Sequence, residues 1–449
     1  MAACQAWPFE WSGASSPTRQ QRALAIELAR HWLAPFEARG ISSDQLTASS
    51  ATSRMAEERL CPIVQVLNNR IYIVALPGMR QMDMQLHRCD SGPIAGDTNE
   101  NFCHEATKSG AGACRRQARN WERHRLHVVL RLLHHTTQRL KLPDFEFRLC
   151  ADDTCHGVWE KPRQPRPLFT MAACVDAPTI PIVQWNAEAA GRDPDLATWD
   201  SVLQERVATG RTLAQQQGWE CREDVAVFRG SANQLHTYNN EWSRTRRVRR
   251  VRTTHENFNS SGRWALVDQR LGSSHTLNVR LSRLRRGYAI FDEKNEPMQF
   301  KKRVAAVSSD VPTSMSLEEQ ASRFKYILHV EGHGGWADRL KHLMVLGAAV
   351  IKQESGVVEW FEPLLIPNSH YLSVKGDLSN LSAVLLDAVA HDKRSRAIAL
   401  RAVERSAVVF STNMLSTDHP LRGHRITDCA FESAPLRVAY RVGKGKILA

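Results

Sequence analysis

Apolar runs of strand length alternate along this chain with longer stretches whose apolar positions recur at helical spacing. Residues 16–38 set Leu24, Ile26, Leu28, Trp32 and Leu33 on one broad face, with Ser15, Ser16 and Pro17 at the start and Pro35 at the end, which predicts a helix. Two alternating runs about Asn68–Asn69 predict a hairpin over 62–76. Residues 118–140 place Leu126, Val129, Leu130, Leu133 and Leu140 near helical spacing. Phe145–Cys150 predicts a strand leading to the pair Asp152–Asp153, and 168–174 and 181–185 predict short extended segments. A second alternation starts near Asp224 with an apolar strand turned by Arg229, Gly230 and Ser231, then a strand-like run at 275–281. Next, Tyr326–Val330 predicts a strand that enters a turn at Gly332, Gly334 and Gly335, followed by a helix and a second strand at Ala348–Ile351. An amphipathic segment (357–366), a strand at Tyr371–Val374 and two helical stretches within 378–410 complete this half, and the tail from 411 reads as irregular.

Strands alternating with helices twice over predict an α/β protein with a join near 210–223. We divide the chain into an N-terminal helical extension (1–60), a first α/β domain (61–215) with a polar surface insertion at 78–117, a second α/β domain (216–410) and a C-terminal tail (411–449). The length of 449 residues, too great for one ordinary core, agrees with two domains. A net charge of +13, from 60 basic against 47 acidic residues, directs the search toward anionic partners. No apolar run approaches the ~20 residues of a membrane helix. The first residues lack the basic-then-apolar order of a signal peptide, and the last are no retention tetrapeptide. Nine of the ten cysteines precede residue 222, a clustering open both to a few disulfides (Cys103–Cys114 being the readiest local loop) and to reduced thiols.

The glycines at the first turn of the strand–helix–strand unit carry the most chemistry. There a backbone can approach a phosphate, and Arg339 beyond them has the fork to clamp a diphosphate. Glu359 is open to two readings, a ribose ligand or a helix cap. The arginine-rich run 244–252 reads as a solvated face, the alternative being an RNA or nuclear-import patch of a nucleic-acid-binding protein; beyond Trp242 it lacks the interleaved aromatics of a stacking platform. His127, His134 and His135 read as surface residues of a helix, and no Cys/His spacing suggests a metal site.

From Phe324 to Ser379 the chain resembles the CAP10 family, the Rumi-type protein O-glucosyltransferases and capsule-associated xylosyltransferases of glycosyltransferase family 90. The resemblance rests on Lys325–Tyr326, Glu331–Gly332, Arg339–Leu340–Lys341, Gly347 to Lys352, Glu359–Trp360–Phe361, Pro363, Pro367, His370–Tyr371, Val374–Lys375 and Asp377–Leu378. Upstream, Val227 to Ser231, Leu142 to Phe147 with Asp152–Asp153, and Asn68 to Tyr72 are similar to further family segments, so the likeness covers roughly 60–410. It implies a GT-B fold, two Rossmann-like domains facing across a cleft, and inverting transfer of glucose or xylose from a UDP-sugar to a protein or glycan hydroxyl. It implies no metal and no cofactor beyond that donor, no nucleic-acid partner, a monomer, and the lumen of the endoplasmic reticulum or Golgi. It places Asp153 as general base with Asp152 as competitor, although Thr154–Cys155 stand where the family usually has proline. Ser231, Gly334, Gly335, Trp336, Ala337, Asp338 and Arg339 fall at UDP-binding positions. Arg244 (or Arg246) stands for a second phosphate-binding arginine, and Glu359 for a ribose ligand. The altered surroundings of Asp153 keep open a pseudoglycosyltransferase that binds UDP or glycan without transfer.

Overall fold

A computed structural model describes residues 19–37, 63–75, 129, 133, 141–142, 144–150, 168–175, 179–182, 205–206, 208–209, 212, 218–230, 236–239, 249–252, 262–266, 276–281, 315–332, 335–410, 440–442 and 446–448. The chain forms two compact units, the larger built mainly from Ser201–Ser411 and the other mainly from Ala14–Ala173.

The N-terminal unit holds helix α1 (Arg19–Glu37) and a five-stranded mixed sheet. The helix runs two residues past Pro35, because a proline in the last turn removes only one backbone hydrogen bond. Strands β1 (Ile63–Leu67) and β2 (Arg70–Ala75) form the expected hairpin, and β1 also pairs antiparallel with β3 (Phe145–Cys150). Then β4 (Leu168–Thr170) and β6 (Ile180–Pro181) extend the sheet in parallel, with the two-residue β5 (Ala173–Cys174) between them in sequence. The hairpin tip puts Asn68 and Asn69 at φ 49° and 63°, the left-handed region that asparagine tolerates in a two-residue turn. The tip is tied to the segment before β3: Asn68 N–H donates to Asp144 Oδ1 at 2.6 Å, and Leu142 N–H donates to Asn69 Oδ1 at 2.9 Å. Val64, Val66, Ile71, Phe147 and Leu149 form the core beneath.

The larger unit is built on β7 (Glu223–Gly230), β10 (Leu277–Leu281), β11 (Phe324–His329), β12 (Ala349–Gln353) and β14 (Leu372–Val374), while the two-residue β13 (Val357–Val358) pairs with β5. Every pairing among the five is parallel, in the spatial order β10-β7-β11-β12-β14. In chain order this is 2-1-3-4-5, the flavodoxin-like doubly wound arrangement, whose ligand crevice opens at the carboxyl ends of the first and third strands, here β7 and β11. Strand β11 is buried along its whole length, as a strand covered on both faces must be, and its middle, Tyr326 to Leu328, is apolar between Lys325 and His329. Phe228, Tyr326, Leu328 and Ile351 pack against Leu385 and Ile398, which lie on the helices Leu381–Ala390 and Asp392–Val409. A capping box opens α2 (Leu317–Arg323): Ser316 Oγ accepts from Glu319 N–H, and Glu319 accepts from Ser316 N–H.

Three sequence expectations are corrected. The helix of the β11–β12 crossover is a single turn, α3 (Leu340–Leu343), with Arg339 at its N-cap and Gly347 at φ 75° ending the stretch. So short a helix supplies little dipole, and the burden of holding an anion falls on side chains. Part of the basic run is a strand, β9 (Arg249–Arg252), paired antiparallel with β8 (His236–Asn239). The tail contains a hairpin of β15 (Tyr440–Val442) and β16 (Lys446–Leu448). The insertion at 78–117 and all but two residues of the helix expected at 118–140 lie outside the described residues.

Candidate functional site

The carboxyl ends of β7 and β11 bring together two arginines far apart in sequence. Arg339 lies 4.3 Å over the Phe228 ring and donates from Nη1 to the Arg229 carbonyl at 2.7 Å. Arg263, in the short helical segment 262–266, lies 6.0 Å from the same ring and donates from Nε to the Glu331 carbonyl at 2.9 Å. Phe228 therefore lies close to two guanidinium groups at the switch point of the sheet. Burial, and then the Arg263 charge, push Arg339 down to about 9. Burial outweighs the attraction of Glu331 and pushes Arg263 down to about 10. A guanidinium keeps its proton at neutral pH, so both side chains carry their charge into a buried setting. Arg339 Nη2 is buried, with no hydrogen-bond partner among the described residues. An anion beside Arg339 would give that nitrogen an acceptor.

The turn that presents Arg339 is closed by its own backbone. Gly332 N–H donates to the Trp336 carbonyl at 2.9 Å, and Gly335 N–H to the Gly332 carbonyl at 3.3 Å. Gly335 has φ 86°, and a Cβ on Gly332 would stand 2.5 Å from the Trp336 oxygen. Glycine is required at both positions, at one for backbone conformation and at the other for space. Ser355 Oγ fastens the turn from the loop after β12 by donating to the Gly335 carbonyl at 2.7 Å. Buried Gln353 ties the neighbouring loops together, accepting from Glu331 N–H at 3.0 Å and donating to the Gly376 carbonyl at 2.5 Å.

Of the residues singled out in the sequence, Gly335, Trp336, Ala337, Asp338 and Arg339 lie on this turn. Glu359 lies apart from open solvent, 0 % exposed and 3.6 Å from Lys341 Nζ, an ion-pair distance too long for a hydrogen bond. Lys341 is also bonded to Asp338. Burial pushes the Glu359 carboxyl up to about 8, against the pull of Lys341. Asp152, Asp153, Ser231, Arg244 and Gly334 lie outside the described residues. Arg263 was missed by sequence reasoning. The available signal was faint: a lone arginine opening the apolar run Trp264, Ala265, Leu266, where a charge persists only if something holds it.

A parallel α/β unit with two buried arginines at its switch point has the chemistry to receive an anionic ligand. Its sequence assigns it further: the family described as "Glycosyl transferase family 90" matches residues 119–416, and the chain belongs to that family. The uncharacterized protein 027R of Frog virus 3 is 26% identical over 51% of this chain and 24% of its own length. Human protein O-glucosyltransferase 3 is 26% identical over 59% of this chain and 43% of its own. Mouse protein O-glucosyltransferase 1 is 35% identical over 18% of this chain and 20% of its own. The chain thus spans less than half the length of these relatives. A crystal structure of Anabaena HepE in complex with UDP-glucose aligns over 46% of this chain and 51% of its own, at 11% identity and a TM-score of 0.28, and no weight rests on it.

Proposed function

We propose that the protein is an inverting glycosyltransferase that moves glucose or xylose from a UDP-sugar to a hydroxyl of a protein or glycan acceptor. The supporting observation is the buried pair Arg339 and Arg263 near Phe228, with Arg339 Nη2 buried and without a hydrogen-bond partner among the described residues. A departing UDP carries a diphosphate, and two fixed guanidiniums meet its developing charge without reorganising. On this reading the site needs no metal to do so. Ser231 and the 334–339 turn would hold the nucleotide, with Arg244 at its margin and Glu359 buried behind the turn. Asp153, or Asp152 beside it, would take the proton of the acceptor hydroxyl. That oxygen attacks the anomeric carbon from the face opposite the diphosphate, the bond from carbon to phosphate oxygen breaks, and UDP leaves. The two units would face each other as GT-B domains, with the acceptor on the N-terminal side, in a monomer of the secretory lumen.

The test is UDP release from UDP-glucose and UDP-xylose by the purified chain in EDTA, with and without candidate acceptors. We expect release from one donor, lost in Arg339→Ala. Asp153→Asn should abolish transfer and leave UDP affinity nearly unchanged. UDP binding without release from either donor would assign the chain to the non-catalytic reading, and absence of UDP binding would refute the anion site.

A further inference from the structure

At the end of β11, directly below the Arg339 turn, sits a histidine that no step of the proposed reaction uses. His329 is 5 % exposed, and its Nε2 lies 3.1 Å from the Ala337 carbonyl, two residues before Arg339. A carbonyl only accepts, so Nε2 carries the hydrogen. The other ring nitrogen, Nδ1, is buried and without a partner among the described residues. The groups about the ring are positive: Arg339 on the turn, Lys352 in register on β12, and Arg263 on the 262–266 segment. Burial and the Arg339 charge hold the ring well below the ordinary imidazole range, so it is neutral, and its tautomer is set by Ala337. Any side chain fills space there, but few present one N–H to that carbonyl while adding no charge beside two arginines.

We propose that His329 is a positioning residue of the donor site: through its Nε2–H it holds the Ala337 carbonyl and thereby fixes the turn that aims Arg339 at the anion. This rests on the diphosphate reading of the site. It differs from a packing role in predicting which replacements succeed. Glutamine carries its amide nitrogen to about the reach of Nε2, whereas asparagine reaches only as far as Nδ1, and phenylalanine keeps the ring without a donor.

The experiment compares His329→Gln, His329→Asn and His329→Phe in the full chain, reading UDP dissociation constants by calorimetry and amide exchange across 335–343. We expect the Asn and Phe variants to lose about tenfold in UDP affinity, the cost of one buried hydrogen bond, and the Gln variant to stay within about threefold. Exchange at 335–343 should quicken in Asn and Phe and not in Gln, with 324–329 unchanged. If the three variants behave alike in both readouts, or if Phe keeps the parent's exchange, the positioning role is wrong. If Phe does not fold, the Gln and Asn pair decides the question alone. If the parent binds no UDP, the diphosphate reading falls by itself, and exchange still decides what His329 holds.

Discussion

Glu359 shows how far a residue's role depends on what surrounds it. In sequence it stood between two readings, a ribose ligand and a cap. It lies wholly buried, 3.6 Å from Lys341 Nζ and near the carboxylates of Asp338 and Glu362. Burial raises its folded pKa to about 8, above its ordinary value of 4.5. For a carboxyl the sign follows: between those values the folded state holds a proton that the unfolded state has released, so stability falls as pH rises. Glu359→Gln removes the titration and leaves Lys341 its bond to Asp338. The variant should match the parent near pH 5 and exceed it near pH 8 by a kcal/mol or more, since each pKa unit corresponds to about 1.4 kcal/mol. Denaturant unfolding at the two pH values measures this. A variant less stable than the parent at pH 8 would mean that the carboxylate is ionised and needed by Lys341.

Among the elements, the turn between β11 and α3 was legible as a glycine turn because glycine marks backbone that other residues cannot follow. The one-turn helix after it was not, because Leu340 to Leu346 are buried all round and such a run has no periodicity to measure. The strand at Arg249–Arg252 was likewise hidden, since its pairing with His236–Asn239 is written in register and not in composition. The turn itself admits a sharp test. A Cβ at Gly332 would meet the Trp336 carbonyl at 2.5 Å, and that carbonyl is the acceptor that closes the turn. Backbone cannot step aside as a side chain can. Gly332→Ala should cost about 1–3 kcal/mol of stability, the usual range for overpacking. It should also weaken UDP binding by opening the turn. Chemical denaturation and calorimetry read the two effects, and an unchanged UDP affinity would separate the closed turn from the anion site.

For the whole molecule, the parallel sheet in its 2-1-3-4-5 order explains why residues 76 positions apart (263 and 339) meet at one point. The strands β7 and β11 are neighbours in space, and the crossovers on either side carry one arginine each to their shared end. The family motif gave Arg339 directly. It did not give Arg263, whose place beside Arg339 is set by topology. The same arrangement makes the unliganded state pay for function: two guanidiniums are buried near Phe228, and the Arg263 charge adds to burial in lowering Arg339. A diphosphate should then stabilise the fold as well as bind to it. At 100 times its dissociation constant a ligand of the folded state adds about 2.7 kcal/mol. For a unit of about 200 residues that raises the melting temperature by about 5–10 °C. We expect UDP to produce this rise in EDTA, and uridine, lacking the phosphates, to produce almost none. Arg263→Met should reverse the balance, melting at or above the parent without ligand because a buried like-charge contact is gone, while gaining little from UDP. Differential scanning calorimetry on the parent and this variant decides the matter. A variant that melts lower and still responds fully to UDP would show that Arg263 serves the fold and that the ligand's charge is met elsewhere.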